Sequence, residues 1–184
     1  LLNRFNPQVP DFTTSPIWIH AASLGEVNIA TPLIRAIQAR WPETPILLTT
    51  STLSGMEQAR TSLSDIAISW CPFDHAVCVR RFIRRTDFRC LVLIETELWP
   101  NLLYYAHKAD LPVTTVNGRI SAKHFKRYSR VRGLFHPLLS TFAVACMQTP
   151  LDAERMQYLG LNPENTALTG NIKFDGAITK MDHA

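Results

Sequence analysis

Apolar residues along this chain fall into short runs separated by polar, Gly- and Pro-bearing punctuation, and the runs alternate between strand-like and helix-like periods. Ile17-Trp18-Ile19-His20-Ala21 predicts a first strand, and Ile29, Leu33, Ile34 and Ile37 then supply a helical stripe ending near Trp41-Pro42. Pro45 to Thr49 predicts a second strand and Ser54 to Leu63 a helix, with Ser54 and Glu57 as its capping box. Ile66 to Trp70 follows as a third strand, and Asp74 is placed to cap a helix whose Val77, Phe82 and Ile83 face the sheet. Cys90 to Ile94 is apolar on both faces, as a central parallel strand covered by helices requires. Pro100 suits the first turn of a helix over Asn101 to Ala109, and Val113 to Val116 makes a fifth strand. A basic helical stretch follows Ser121, Phe142 to Cys146 makes a sixth strand, and Thr149 with Pro150 opens a helix ending at Gly160. This β-α alternation predicts an α/β, doubly wound, mainly parallel, Rossmann-like sheet.

Composition narrows the picture further. With 184 residues, 46% hydrophobic and 18% charged, the chain can bury one substantial core. It has no apolar run near the length of a membrane span. The net charge of +4 is modest but uneven: from Leu111 to Leu151 there is no acid, against Arg119, Lys123, Lys126, Arg127, Arg130 and Arg132. An anionic partner is expected there. No helix-turn-helix, RNA-binding or zinc-finger signature accompanies the basic stretch, so nucleic acid is disfavoured. Cys71, Cys78, Cys90 and Cys146 form no Cys-x-x-Cys pair and read as reduced, buried thiols.

In a doubly wound sheet ligands bind beyond the carboxyl ends of the strands, where strand order reverses, commonly between the first and fourth strands. Ser23-Leu24-Gly25-Glu26 and Glu95-Thr96-Glu97-Leu98-Trp99-Pro100-Asn101 follow those two strands and gather three carboxylates. Ser23-x-x-Glu26 is also a capping-box pattern, but a helix begun at Ser23 would carry Pro32 in its interior at a cost of roughly 3 kcal/mol. A helix capped by Thr31 with Pro32 as first residue avoids that cost and leaves Glu26 in a loop, while a helix begun at Ser23 and kinked at Pro32 stays open as the alternative. Glu97 is balanced between favouring a helix start and touching ligand. After the fifth strand, Gly118 can take a positive φ, and Arg119 offers a planar fork for phosphate or carboxylate. Lys123, Lys126, Arg127 and Arg130 recur at spacings that one helical face can present, either to an anion or simply to solvent. The first strand lacks Gly-x-Gly-x-x-Gly, which argues against a nicotinamide dehydrogenase.

These two segments, with Asn117-Gly118-Arg119-Ile120-Ser121 and Gly170-Asn171-Ile172-Lys173-Phe174-Asp175, resemble the bacterial Kdo transferases, membrane-associated GT-B glycosyltransferases that attach 3-deoxy-D-manno-octulosonic acid (Kdo) to the lipid A precursor. The resemblance implies that residues 1–170 are an amino-terminal acceptor-binding domain. Residues 171–184 would start the linker to a carboxyl-terminal donor domain that this chain lacks, so the chain alone should be inactive. It implies CMP-Kdo as donor, the lipid A precursor as acceptor, no cofactor or metal, and an anionic membrane surface as partner, at the cytoplasmic face of the bacterial inner membrane. By the same resemblance Glu26 is the general base, and Glu95 and Lys173 stabilise the transition state. Ser23, Gly25, Glu97, Asn117, Arg119, Lys123, Lys126 and Arg127 are the expected substrate contacts. The competing expectations are a non-catalytic module binding anionic lipid or glycan, and another lipid-glycan transferase of GT-B type.

Overall fold

A computed structural model describes residues 2–172. Seven strands, β1 (Ile17–His20), β2 (Ile46–Thr50), β3 (Ala67–Trp70), β4 (Cys90–Ile94), β5 (Val113–Gly118), β6 (Val144–Met147) and β7 (Thr166–Leu168), form one all-parallel sheet in the order β3-β2-β1-β4-β5-β6-β7. The order reverses between β1 and β4, as the sequence pattern predicts. The helices are α1 (Leu24–Arg40), α2 (Leu53–Ser62), α3 (Ala76–Ile83), α4 (Pro100–Lys108), α5 (Ala122–Ser129), α6 (Arg132–Leu139) and α7 (Pro150–Leu159). None of the described helices is long and apolar enough to cross a membrane.

Neighbouring strand residues point to opposite faces, and the core splits accordingly. Ile19, Ile46, Leu48, Val92 and Ile94 meet Val27, Ile29, Ala30 and Ile34 of α1 and Ala59 of α2. Trp18, Leu47, Leu91, Leu93 and Val113 meet residues of α3, α4, α6 and α7. Both faces of the central strands are therefore buried, which accounts for their continuous apolar runs.

Several local expectations give way to tertiary structure. Helix α1 is capped by Ser23, not Thr31, and runs through Pro32. Pro32 and Asn28, whose carbonyl loses its helical donor, are both exposed, so water can take that carbonyl, while the buried face of α1 continues on either side. Helix α2 is capped by Thr52, whose hydroxyl accepts from Gly55 N at 3.1 Å, rather than by Ser54. Asp74 caps α4 across space, accepting from Leu102 N at 2.8 Å and Asn101 N at 3.2 Å, and α3 has no side-chain cap. The sixth strand starts at Val144, two residues later than its apolar run suggests, because Phe142 is spent on the core. The edge strand β7, only Thr166–Leu168, is too short to announce itself by pattern. All four cysteines are free thiols; Cys71 and Cys78 are buried, Cys90 and Cys146 half-buried.

Candidate active site

At the carboxyl end of β1 the chain turns directly into α1, and Glu26 lies in the first turn. Ser23 Oγ accepts from Glu26 N at 3.4 Å and donates to Glu26 Oε1 at 2.8 Å, while Ala22 N donates to Oε2 at 2.8 Å. Glu26 thus reaches back past the Ser23 cap to the N–H of the residue before it, a variant of the capping box, and its side chain is buried with the residue 8% exposed. The loop placement expected from Pro32 is incorrect, yet the carboxyl still stands at the switch point. Burial first, and then the nearby charges of Glu97 and Glu95, raise its pKa from 4.5 to about 7, against the lowering effect of the bonds from Ser23 and Ala22. Gly25 sits exposed in the same helical turn.

Beyond β4 the backbone of Glu95 adopts φ 60°, a left-handed value that a residue with a side chain rarely takes. Its carbonyl accepts from Thr115 Oγ1 at 2.6 Å and its N–H donates to Val116 O at 2.9 Å, so β5 holds the unusual turn in place. Glu95 Oε2 receives Arg119 Nε at 2.9 Å; the Arg119 side chain is 59% exposed. Glu97 does not serve a helix start: it lies three residues before α4, and Trp99 Nε1 donates to its Oε2 at 2.5 Å. Burial, and to a lesser degree the Glu95 charge, raise the pKa of Glu97, while the Trp99 hydrogen bond and His124 oppose the rise.

A cavity of about 450 Å³ opens beside these carboxylates, lined among others by Glu95, Glu97, Arg119, His124, Asp152 and Arg155. Glu26 and Asn117 are not among its lining residues. Asn117 is 1% exposed, takes φ 59° itself, and accepts from Ile172 N through Oδ1 at 3.1 Å. The positive φ expected of Gly118 therefore belongs to its neighbour. Gly118 instead leaves room for Met147, whose Sδ would lie 2.6 Å from an added Cβ. Lys123, Lys126 and Arg127 are exposed on α5, a helix with no buried residue, and join no ion pair among the described residues. Lys173 lies outside the described residues.

Sequence reading missed Thr96, His124, Asp152 and Arg155. The signal was weak: Thr149-x-x-Asp152 is an ordinary helix-capping pattern, and its second use, Asp152 Oδ1 accepting from Ile120 N at 2.8 Å, spans 32 residues. Taken together, the switch point brings a buried carboxyl of raised pKa near a carboxylate paired to an arginine and a mixed-charge cavity. This chemistry suits hydroxyl deprotonation and the binding of a polar, partly anionic substrate.

Comparison with known proteins adds matches in both sequence and structure. A family model described as 3-deoxy-D-manno-octulosonic-acid transferase (kdotransferase) matches residues 2–176. The 3-deoxy-D-manno-octulosonic acid transferase of Haemophilus influenzae is 34% identical over 160 residues, covering 86% of this chain and 38% of the relative. The Bordetella pertussis protein of the same name is 32% identical, covering 95% of this chain and 41% of that protein. The chain thus spans about two fifths of the length of these relatives. Among solved structures, UDP-GlcNAc 2-epimerase from Neisseria meningitidis bound to UDP-GlcNAc superposes with a TM-score of 0.64 at 10% identity, covering 92% of this chain and 50% of that one. At that identity the likeness establishes the fold alone.

Proposed function

The chain belongs to the Kdo transferase family, and from that premise we propose that it is the acceptor-binding, base-bearing part of an inverting glycosyltransferase moving Kdo from CMP-Kdo to the lipid A precursor in lipopolysaccharide synthesis, at the cytoplasmic face of the inner membrane. The observation that carries this reading is the Glu26 carboxyl, held at the switch point with a pKa of about 7. A base is most effective when its pKa lies near the working pH. Ser23 and Ala22 occupy two of the roughly four acceptor positions of a carboxylate, which leaves capacity for a substrate hydroxyl.

In this mechanism the acceptor hydroxyl oxygen attacks the anomeric carbon of Kdo from the side opposite CMP. Its proton passes to Glu26, and the bond to CMP breaks with the electron pair leaving on the phosphate. One displacement inverts the centre. Glu95, anchored by Arg119, and Lys173 balance charge as it develops. Arg119 also contacts an acceptor phosphate, and Lys123, Lys126 and Arg127 face an anionic headgroup layer, each contributing about 1 kcal/mol near such a surface. Donor contacts are assigned to a carboxyl-terminal domain.

Glu26→Gln in a full-length enzyme tests the base. Glutamine keeps a capping interaction but accepts no proton, so turnover of radiolabelled Kdo should fall by about 10²–10⁴. A rate within about threefold of wild type would leave Glu26 a helix cap and nothing more.

A further inference from the structure

Backbone polar groups are mostly satisfied by other backbone groups, and those of the dipeptide formed by exposed Arg119 and buried Ile120 are not. Pairing of β5 with β6 ends at Gly118, whose carbonyl accepts from Gln148 N at 2.8 Å. In the next two residues all four backbone polar atoms are held by side chains from elsewhere. Thr96 Oγ1, from the β4–α4 connection, accepts from Arg119 N at 3.2 Å and donates to Arg119 O. Asp152 Oδ1, in the first turn of α7, accepts from Ile120 N at 2.8 Å. Arg155 Nη1, on the same helix, donates to Ile120 O at 2.8 Å.

The α7 side of this clamp is itself braced. Asp152 is 9% exposed, and its second oxygen accepts from Thr149 Oγ1 at 2.5 Å. The Arg155 guanidinium lies 5.8 Å from the centre of the Phe125 ring. We propose that Asp152 and Arg155 are positioning residues: through the Ile120 peptide groups they fix the turn that delivers the Arg119 guanidinium to Glu95 and leaves its other nitrogens for an acceptor phosphate. A long side chain grips a phosphate best when its own backbone does not move. Arg155 acts through Arg119, although it lines the same cavity. The proposal rests on Arg119 being the phosphate contact.

The test is a double-mutant cycle in a full-length enzyme. Arg155→Ala and Asp152→Ala are each expected to raise the acceptor KM about 5–10-fold, with kcat changed less than about twofold, and to change KM less than about twofold in an Arg119→Ala background. Asp152→Asn, which keeps an acceptor for Ile120 N, should remain near wild type. Equal KM effects in both backgrounds would show that these residues bind substrate directly or only stabilise the fold, and would overturn the proposal. Amide hydrogen exchange at Arg119 and Ile120 supplies a second readout: both alanine variants should speed it while the β1 and β4 amides keep their protection. Unchanged exchange at those two amides also overturns it. If Arg119→Ala leaves the acceptor KM unaltered, the phosphate role of Arg119 falls, and the exchange measurement still decides whether α7 fixes the turn.

Discussion

Glu26→Gln should raise the stability of the fold at about pH 8, by an amount that follows from how the carboxyl is held. Its pKa is raised from 4.5 to about 7, chiefly by burial and then by the Glu97 charge. Between those two values the folded protein binds a proton that the unfolded chain releases. The stabilisation of the neutral carboxyl is therefore complete below about pH 4.5 and is lost as the pH rises through about 7. Across that window the loss is about 3 kcal/mol, at 1.36 kcal/mol per pKa unit. The 8% exposure of Glu26 leaves little room for solvent to screen the effect. Glutamine is neutral at every pH and can keep both local bonds, accepting from Ala22 N through its oxygen and donating to Ser23 Oγ through its amide. Wild type and variant should melt together near pH 4.5, and the variant should gain up to about 3 kcal/mol at pH 8. For a domain of this size that is a Tm increase of about 6–12 °C. Circular-dichroism melts of both proteins at three or four pH values measure it directly. A difference that does not vary with pH, or a less stable variant at pH 8, would show that the ionised carboxylate is comfortable in its pocket and would refute the reasoning.

Three further outcomes are expected. Arg119→Ala, and joint replacement of Lys123, Lys126 and Arg127 by Gln, should weaken binding to anionic vesicles, and salt should shrink the difference because exposed charges lose reach beyond about 8 Å at physiological ionic strength; equal binding to neutral and anionic vesicles speaks against a membrane-facing α5. Gly55→Ala should cost about 1–3 kcal/mol in urea unfolding, since its Cβ would lie 2.4 Å from Thr50 Oγ1 and 3.2 Å from the Ser23 carbonyl carbon; a loss below about 0.5 kcal/mol would mean that the α2 start shifts freely away from the Glu26 turn. Asn117→Ala should cost about 1–3 kcal/mol through its left-handed backbone and the lost bond to Ile172, and Asn117→Gly should recover the backbone share; equal losses in the two variants would assign the whole cost to the bond.

The framework of this protein is legible along the chain because it depends on local pattern. Apolar runs such as Leu47-Leu48 and Leu91-Val92-Leu93-Ile94 can be satisfied only between two helical layers, and strict β-α alternation leaves a parallel sheet with one reversal. The site segments after β1 and β4 follow from that reversal. Their motifs matched the right family for the same reason: each lies within a few consecutive residues.

Tertiary structure decided everything that turns on a choice between equivalent local options. Thr31, Ser23, Ser54 and Asp74 are all competent caps in isolation. Packing selected Ser23 despite Pro32, passed over Ser54 for Thr52, and sent Asp74 to a helix 27 residues away. The raised pKa of Glu26 is likewise absent from Ser-x-x-Glu, because it comes from burial and from charges about 70 positions distant in the chain. The clamp on Arg119–Ile120 joins Thr96, Asp152 and Arg155 across 23 to 35 residues. Periodicity reports which face of an element is buried; it does not report what a polar atom meets there, since that partner comes from another element and is fixed only when the layers close.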